Sequence, residues 1–510
     1  MLQVKNLSVY LEINNRFILK DFTFHLAPGH RAAIIGEEGN GKSTLLKLLH
    51  DPGQAEGYAG YTGQILKDNL KTGYLPQELT QEEAALTVYA YMSREPGFLD
   101  AAPGELSAFA RAVGIEFENF YSDRPMCSFS GGERIKLEMA RVMMGKPDVY
   151  LLDEPTNDID IKTMQWLEGL ILSLDRPVLY ISHDELLLER TANCIIHLEQ
   201  LRKKNIPRHT VFQGTYRDYI AQRAQGLSHQ AQMAKSEREQ YRKQMERWRQ
   251  IYQRVDHEQG QISRADPHGG RLLKKKMQSV LATGKRLERQ AETMTQMPDY
   301  EEAIGLAFDA VEVVPGKLLL DFTLDTLCVE DRVLARQLRL VIRSGMHIGI
   351  IGDNGTGKTT LLRLLARQLL DKYGSTVAYM PQNYEEQLDF SMPVLAFLAP
   401  SGQKEDITRA RTFMGSLRYT HEEMEASAAR LSGGQKAKLY FLKMALMQPQ
   451  ILILDEPTRN LSPLSGPVVR RTLGAYSGTI VSVSHDRKYL REVCDGIYRL
   501  TPFGLCPEEV

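Results

Sequence analysis

The sequence predicts an α/β protein in which one kind of domain occurs twice, with a helical segment between the copies. Three observations predict it: a strand, glycine-loop, helix pattern that recurs; a train of motifs that follows each occurrence in the same order; and a basic, heptad-patterned stretch that separates the two trains. The apolar run Arg31-Ala-Ala-Ile-Ile leads into Gly36-Glu37-Glu38-Gly39-Asn40-Gly41-Lys42-Ser43, and Thr44-Leu-Leu-Lys-Leu-Leu continues as a helix. Glycines let the backbone curl so that successive N–H groups and the positive end of the helix face a polyphosphate. Lys42 then reaches the outer phosphates and the Ser43 hydroxyl can ligate magnesium. Taken alone, such an octapeptide could be a glycine-rich turn capping a helix. The chain repeats it with the same flanks: Gly352-Asp353-Asn354-Gly355-Thr356-Gly357-Lys358-Thr359-Thr360 follows Met346-His-Ile-Gly-Ile-Ile and precedes Leu361-Leu-Arg-Leu-Leu.

Behind the first P-loop come Gly73-Tyr-Leu-Pro-Gln77, Phe129-Ser130-Gly131-Gly132-Glu133, Val149-Tyr-Leu-Leu-Asp153-Glu154-Pro155-Thr156 and Val178-Leu-Tyr-Ile-Ser-His183-Asp184. Behind the second come Ala378-Tyr-Met-Pro-Gln382, Leu431-Ser432-Gly433-Gly434-Gln435, Ile451-Leu-Ile-Leu-Asp455-Glu456-Pro457 and Ile480-Val-Ser-Val-Ser-His485-Asp486. The Ser-Gly-Gly serine, the Asp-Glu pair and the histidine each recur after 302 residues, whereas the P-loop lysines are 316 apart. The second copy is therefore 14 residues shorter between its P-loop and its Ser-Gly-Gly turn. Five elements in one order, twice, define an internal repeat.

Each element has a chemical reason. Asp153 and Asp455 end apolar strands, where a carboxylate can hold magnesium against the outer phosphates together with Ser43 or Thr359. Glu154 and Glu456 stand one residue further on, where a carboxylate can polarise an attacking water. Gln77 and Gln382 can position that water or the metal shell, and His183 and His485 can contact a terminal phosphate. The Ser-Gly-Gly turns precede helices, so their N–H groups form a second anion cradle, one that suits closure by another domain. Singly, an Asp-Glu at a strand end is often a helix cap and a lone histidine a structural group; the repeated order removes those readings.

At 510 residues the chain is long enough for two or three domains with their own cores. No run of about 18 apolar residues is present to cross a bilayer, and Met1-Leu-Gln-Val-Lys-Asn-Leu alternates like a strand rather than a signal peptide, so a cytoplasmic protein is expected. Cys127, Cys194, Cys328, Cys494 and Cys506 are odd in number and scattered, which indicates neither a disulfide framework nor a zinc site. The formal net charge of −1 conceals a division. Residues 214–298 carry 17 Lys plus Arg against 9 Asp plus Glu, a net of +8, and the remainder sums to −9. That asymmetry raises the expectation of a polyanionic partner, against the commoner reading of a solvated helical face.

Within this basic stretch, Tyr241, Met245, Trp248, Tyr252 and Val255 recur at spacings of four and three, as do Leu273, Met277, Val280, Gly284, Leu287, Ala291 and Met294. Two such stripes separated by Asp266-Pro267-His268-Gly269-Gly270 describe an antiparallel helical hairpin with its tip near Ser263 to Arg271 and small residues that permit close approach. The 27 residues of the return leg would reach roughly 40 Å. Arg264, Arg271, Lys274, Lys275 and Lys276 gather towards the tip, with Arg247, Arg249, Arg254, Lys285 and Arg286 along the legs. They suit contact with a phosphate backbone such as RNA.

In both halves the motifs match the Walker A, Q-loop, signature, Walker B and switch-histidine elements of the ATP-binding cassette superfamily, which residues 1–213 and 306–510 resemble nearly throughout. The resemblance implies two P-loop ATP-binding cassette domains, residues 1–213 and 306–510, joined by an antiparallel helical hairpin linker at 214–305, with ATP and Mg2+ as cofactors. It also implies head-to-tail packing. Lys42 and Ser43 would then share one ATP with Ser432 and Gly434, Lys358 and Thr359 another with Ser130 and Gly132, and hydrolysis would separate the pair. Glu38 departs from the pattern, since asparagine is usual there and Asn354 stands in the second copy; an acid beside phosphates is expected to weaken the first site. The tails after Walker B differ too, Thr156-Asn-Asp-Ile-Asp160 against Thr458-Arg459-Asn-Leu-Ser-Pro-Leu-Ser465, so the sites are not expected to be equivalent. Tyr10 is a candidate adenine platform in the first copy, and only Leu327, Cys328 and Val329 stand near that place in the second.

Two cassettes and a basic linker in one chain resemble the ABC-F group, and the second Walker B tail resembles its antibiotic-resistance branch. That likeness implies a monomer that pairs its own cassettes, binds the ribosome near exit-site tRNA and rRNA rather than a membrane, and displaces drugs from the peptidyl-transferase centre. A housekeeping ABC-F translation factor and the ATPase subunit of a membrane transporter are the alternatives.

Overall fold

Short aliphatic runs with no polar face, such as Val149–Leu152 and Ile451–Asp455, require cover on both sides, and parallel strands flanked by helices supply it. In the computed structural model, which describes residues 2–13, 15–67, 69–201, 206–261, 267–298, 308, 313–329, 332–386, 391–416, 419 and 421–508, both runs are fully buried central strands. The first repeat comprises β1 (Leu2–Leu11), β2 (Arg16–Leu26), β3 (Arg31–Ile35), β4 (Ala59–Leu66), β5 (Thr72–Leu75), β6 (Val149–Leu152), β7 (Val178–Ile181), β8 (Cys194–Gln200) and β9 (Ile206–Gln213). Six of them form a sheet in the order β5-β6-β7-β3-β8-β9, parallel except for β9, and β2-β1-β4 form an antiparallel sheet. The second repeat comprises β10 (Leu318–Val329), β11 (Arg332–Arg343), β12 (His347–Ile351), β13 (Val377–Met380), β14 (Ile451–Asp455), β15 (Thr479–Val483), β16 (Gly496–Thr501) and β17 (Gly504–Pro507). Its sheet order, β13-β14-β15-β12-β16-β17, reproduces the first strand for strand, beside an antiparallel β10-β11 pair.

This order positions the chemistry. Each P-loop, Asp-Glu pair, histidine and glutamine leaves the carboxyl end of one of four neighbouring strands, so motifs scattered over about 140 residues converge on one edge. The missing 14 residues also have a structural cause. In the first repeat the P-loop helix stops at His50 and β4 intervenes before β5, whereas in the second the helix Lys358–Tyr373 runs almost directly into β13. That replacement accounts for 11 of the 14.

By its contacts the chain divides into Met1–Tyr216 together with Glu301–Val510, and Arg217–Tyr300. The latter holds most of a 46-residue helix, Tyr216–Gln261, and the whole of a 27-residue helix, Pro267–Thr293. Heptad packing is as the sequence suggests at its centre: Val255 and Leu287 are buried, and the Trp248 indole lies over Gly284, where a Cβ would stand 2.9 Å from the ring. The indole N–H also donates to the Val280 carbonyl at 2.8 Å. Ala291, the other small residue of the stripe, is exposed. The expected tip needs correction. Residues 262–266, including Arg264, lie outside the described residues, and Pro267 to Arg271 form the first turn of the return helix, where proline's fixed φ suits a helix start.

Candidate active sites

Both P-loops wrap their own lysines. Lys42 Nζ donates to the carbonyls of Gly36 and Glu37 at 2.9 and 3.1 Å, and Lys358 Nζ to those of Gly352 and Asp353 at 3.0 Å each. Gly41 (φ 84°) and Gly357 (φ 91°) cap the following helices in a left-handed conformation, and a Cβ at either would press on Ile18 or Leu334 at 2.7 Å. Two residues of the loops serve the loops themselves: Asn40 Nδ2 donates to the Leu198 carbonyl at 3.0 Å, and Thr356 Oγ1 to the Asp353 carbonyl at 2.8 Å. The Ser-Gly-Gly serines are capping-box residues. Ser130 Oγ accepts from the Glu133 N–H at 3.3 Å while the Glu133 carboxylate accepts from the Ser130 N–H at 3.0 Å; Ser432 and Gln435 repeat the exchange.

The two repeats face each other head to tail. A cavity of about 1220 Å³ is lined by Asp353, Asn354, Gly355, Gly357, Lys358, Thr359 and Thr360 of one repeat and by Ser130, Gly131 and Gly132 of the other. Gln382, Asp455, Glu456 and His485 share its wall. Several buried polar atoms there have no hydrogen-bond partner: both carboxylate oxygens of Asp455, Oε1 of Glu456 and Nδ1 of His485. A buried orphan costs about 1–3 kcal/mol, so four in one cavity mark a place built for something polar. Burial pushes Asp455 up to about 6, and burial with Asp455 alongside raises Glu456. Burial, helped by Lys358, lowers His485 to about 3. A carboxylate beside the Thr359 hydroxyl and the Lys358 ammonium, facing the Ser130 to Gly132 turn, fits a magnesium-bound polyphosphate.

The equivalent groups of the first repeat satisfy one another. Asp153 accepts from Ser43 Oγ at 2.9 Å and Tyr74 Oη at 3.2 Å, and Glu154 accepts from Gln77 Nε2 at 3.0 Å and Asn157 Nδ2 at 2.9 Å. His183 Nε2 lies 3.2 Å from Glu154, and its Nδ1 lies 2.8 Å from the Leu461 carbonyl of the other repeat. Burial pushes Asp153 up to about 6; burial would also raise Glu154, but His183, Lys42 and Asn157 hold it down at about 2. Glu154 (φ 50°) and Glu456 (φ 51°) both sit in the left-handed region.

The facing partners of the first P-loop are protein groups. Glu38 Oε2 accepts the Gly434 N–H at 2.5 Å, with Gly433 alongside. Glu37 is buried and accepts from Lys438 Nζ at 2.9 Å, Ser462 Oγ at 2.8 Å and Ser465 Oγ at 2.7 Å. Burial works against ionisation of Glu37, yet Lys438 and the two serines keep it below the ordinary carboxylate value. At the corresponding places in the second P-loop, Asp353 pairs with Lys162 at 2.9 Å in an exposed position and Asn354 Nδ2 donates to the Asp158 carbonyl at 2.6 Å. Further pairs join the repeats: Arg470 with Glu185 at 2.6 Å, Arg459 with Asp158 at 2.7 Å, and Arg487 with Glu168.

Sequence reasoning missed Lys438 and Arg470, which lie in no motif, and gave no individual role to Asn157, Ser462 and Ser465, which stand in the two tails after Walker B. On the adenine side, Leu327 belongs to the core, and Val329, Arg332 and Leu334 line the cavity. Tyr10 packs edge-on to Phe17. In the hairpin, Arg271, Lys274, Lys275 and Lys276 are exposed, with Lys276 Nζ 3.5 Å from Glu258.

A family model described as "ABC transporter" matches residues 19–157 and 335–459. The chain is 30% identical to the probable ATP-binding protein YheS of Escherichia coli, covering 95% of this chain and 76% of that one. It is 28% identical to the human ATP-binding cassette sub-family F member 3, covering 96% and 70%. Among solved structures, the archaeal ribosome recycling factor aABCE1, in complex with a ribosomal stalk protein, superposes with a TM-score of 0.59 at 18% identity over 98% of this chain and 89% of that one, a likeness of fold.

Proposed function

Because the chain belongs to the ATP-binding cassette family and is a tandem-cassette ATP hydrolase of the ABC-F type, we propose that it acts on the ribosome and protects it from antibiotics of the peptidyl-transferase centre. The observation that carries this reading is the helical hairpin of Arg217–Tyr300, whose exposed Arg271, Lys274, Lys275 and neighbouring cations give a basic surface in a chain whose remainder is net acidic. Such a surface suits rRNA and tRNA backbones through counterion release. Among the described residues no helix is long and apolar enough to cross a membrane.

In this reading, residues 1–213 and 306–510 are the cassettes and 214–305 the linker. Lys42 and Lys358 bind the outer phosphates, Ser130–Gly132 and Ser432–Gly434 close on them from the facing cassette, and Ser43 with Asp153 and Thr359 with Asp455 hold Mg2+. When bound, that ion neutralises charge on the outer phosphates. Glu456 takes the proton of the attacking water, a role that suits a carboxyl raised by burial. Gln382 and His485 orient the reacting groups from the cavity wall. Hydrolysis then frees the cassettes and releases the ribosome.

Co-sedimentation tests the reading. A Glu154→Gln, Glu456→Gln double variant with ATP is expected to pellet with ribosomes, less so at raised salt, and to follow membranes if it serves a transporter. Expression is expected to raise tolerance to lincosamides, pleuromutilins or streptogramin A compounds; unchanged susceptibility to all three favours a housekeeping translation factor.

A further inference from the structure

The Glu38–Gly434 contact bears on which nucleotide the first site can take. The Gly434 N–H opens the helix Gly433–Met447 and belongs to the anion cradle that the facing P-loop brings to a terminal phosphate. In the second composite site the matching cradle, Ser130 to Gly132, borders open cavity, and Asn354, the counterpart of Glu38, is a neutral amide that donates to the Asp158 carbonyl beside Gly131 and brings no charge to the cradle. In the first composite site a carboxylate oxygen already sits 2.5 Å from that N–H. Its neighbour Glu37 is anchored by three further donors of the facing repeat, so the backbone that carries Glu38 is pinned across the interface.

We propose that the first composite site takes a nucleoside diphosphate, with the Glu38 carboxylate standing in for the terminal phosphate of a triphosphate at Gly434. The inference rests on the assignment of the two composite sites made above. A triphosphate entering here would set its terminal phosphate beside a fixed negative charge and would have to displace it from its donor. A diphosphate leaves that seat to Glu38 and still reaches Lys42 and Ser43. The site then has no terminal phosphate to hydrolyse, in keeping with a Glu154 whose carboxylate is held by Gln77, Asn157 and His183. Glu38 is thus a specificity-determining residue, and the first site remains closed while the second turns over.

The test uses the full chain with Lys358→Ala to silence the second site, titrated with ADP and with the non-hydrolysable triphosphate AMP-PNP in the presence of Mg2+. Site one is expected to prefer ADP by about tenfold or more, one decade of preference being one decade in dissociation constant, and Glu38→Asn is expected to reverse that order. Equal preference before and after the substitution, triphosphate preference without it, or no nucleotide bound at all would overturn the assignment of Glu38. A second measurement avoids the Lys358 variant. After gel filtration with AMP-PNP, the unaltered chain is expected to retain one analogue and Glu38→Asn two; equal retention overturns the proposal. The reciprocal Lys42→Ala chain separates the two levels. If it too binds neither nucleotide, the composite-site reading itself fails.

Discussion

The two composite sites use the same motifs in the same fold, yet in one the Asp, Glu and His side chains are spent on protein partners, whereas in the other, although the His485 N–H donates to Glu456 Oε2, several of their atoms face a cavity. Asp153, Glu154 and His183 each have protein partners, one of them the Leu461 carbonyl of the opposite repeat, while Asp455, Glu456 and His485 keep unpaired atoms against a cavity. The difference starts at two P-loop positions. Glu37 and Glu38 reach across to donors in the second repeat, where Asp353 and Asn354 make a solvated pair and a single amide contact. A duplicated domain can therefore divide its labour through two side chains within one motif, Glu37 and Glu38, while the lysine, the Asp-Glu pair and the histidine stay the same.

The largest expected effect breaks the symmetry of turnover. Removing a general base costs about 10²–10⁴-fold, so Glu456→Gln is expected to abolish most phosphate release, whereas Glu154→Gln is expected to cost less than about threefold. Comparable losses in steady-state assays would end the asymmetry. Next, Glu37→Ala strands the buried Lys438 ammonium, and breaking such a pair costs about 3–5 kcal/mol in denaturation experiments, with Glu37→Gln, Lys438→Met recovering much of it. The same pair carries a pH signature. Because the folded Glu37 pKa is depressed, its stabilisation relative to Glu37→Gln is full above the ordinary value of 4.5 and is lost as pH falls through the lower folded value; a difference that grows with acid contradicts the pairing. The smallest effect belongs to the other P-loop. Asp353→Ala or Lys162→Ala removes an exposed pair worth about 0–1 kcal/mol, and what difference there is should fade with added salt.

The repeat, the strand ends that carry each motif and the heptad contacts at Trp248, Val255, Gly284 and Leu287 were legible because each rests on local order or on a period of 3.5. The unequal roles of the sites were only half legible. Glu38 stood out as an acid where its counterpart is an asparagine, but its partner Gly434 is 396 residues away, and Glu37's partner Lys438 is 401. Nothing in a linear pattern pairs residues that meet only when two folded domains close. Lys438 looks like one more solvated lysine on a helix, and its burial follows from packing alone. The start of the return helix was misplaced for a different reason. Pro267 and the glycines after it read as a turn, whereas proline is tolerated in a first helical turn, where its missing N–H costs nothing.

The left-handed backbone at Glu154 and Glu456 has a consequence for anyone redesigning this chain. A side chain there is disfavoured by about 1–2 kcal/mol relative to the right-handed helical region, and glycine or asparagine would sit more comfortably. A thermostabilisation campaign scored on folding alone would exchange Glu456 among its earliest choices, whereas Glu154 is held by Gln77, Asn157 and His183, and the hardier variant it delivered would have traded away catalytic competence.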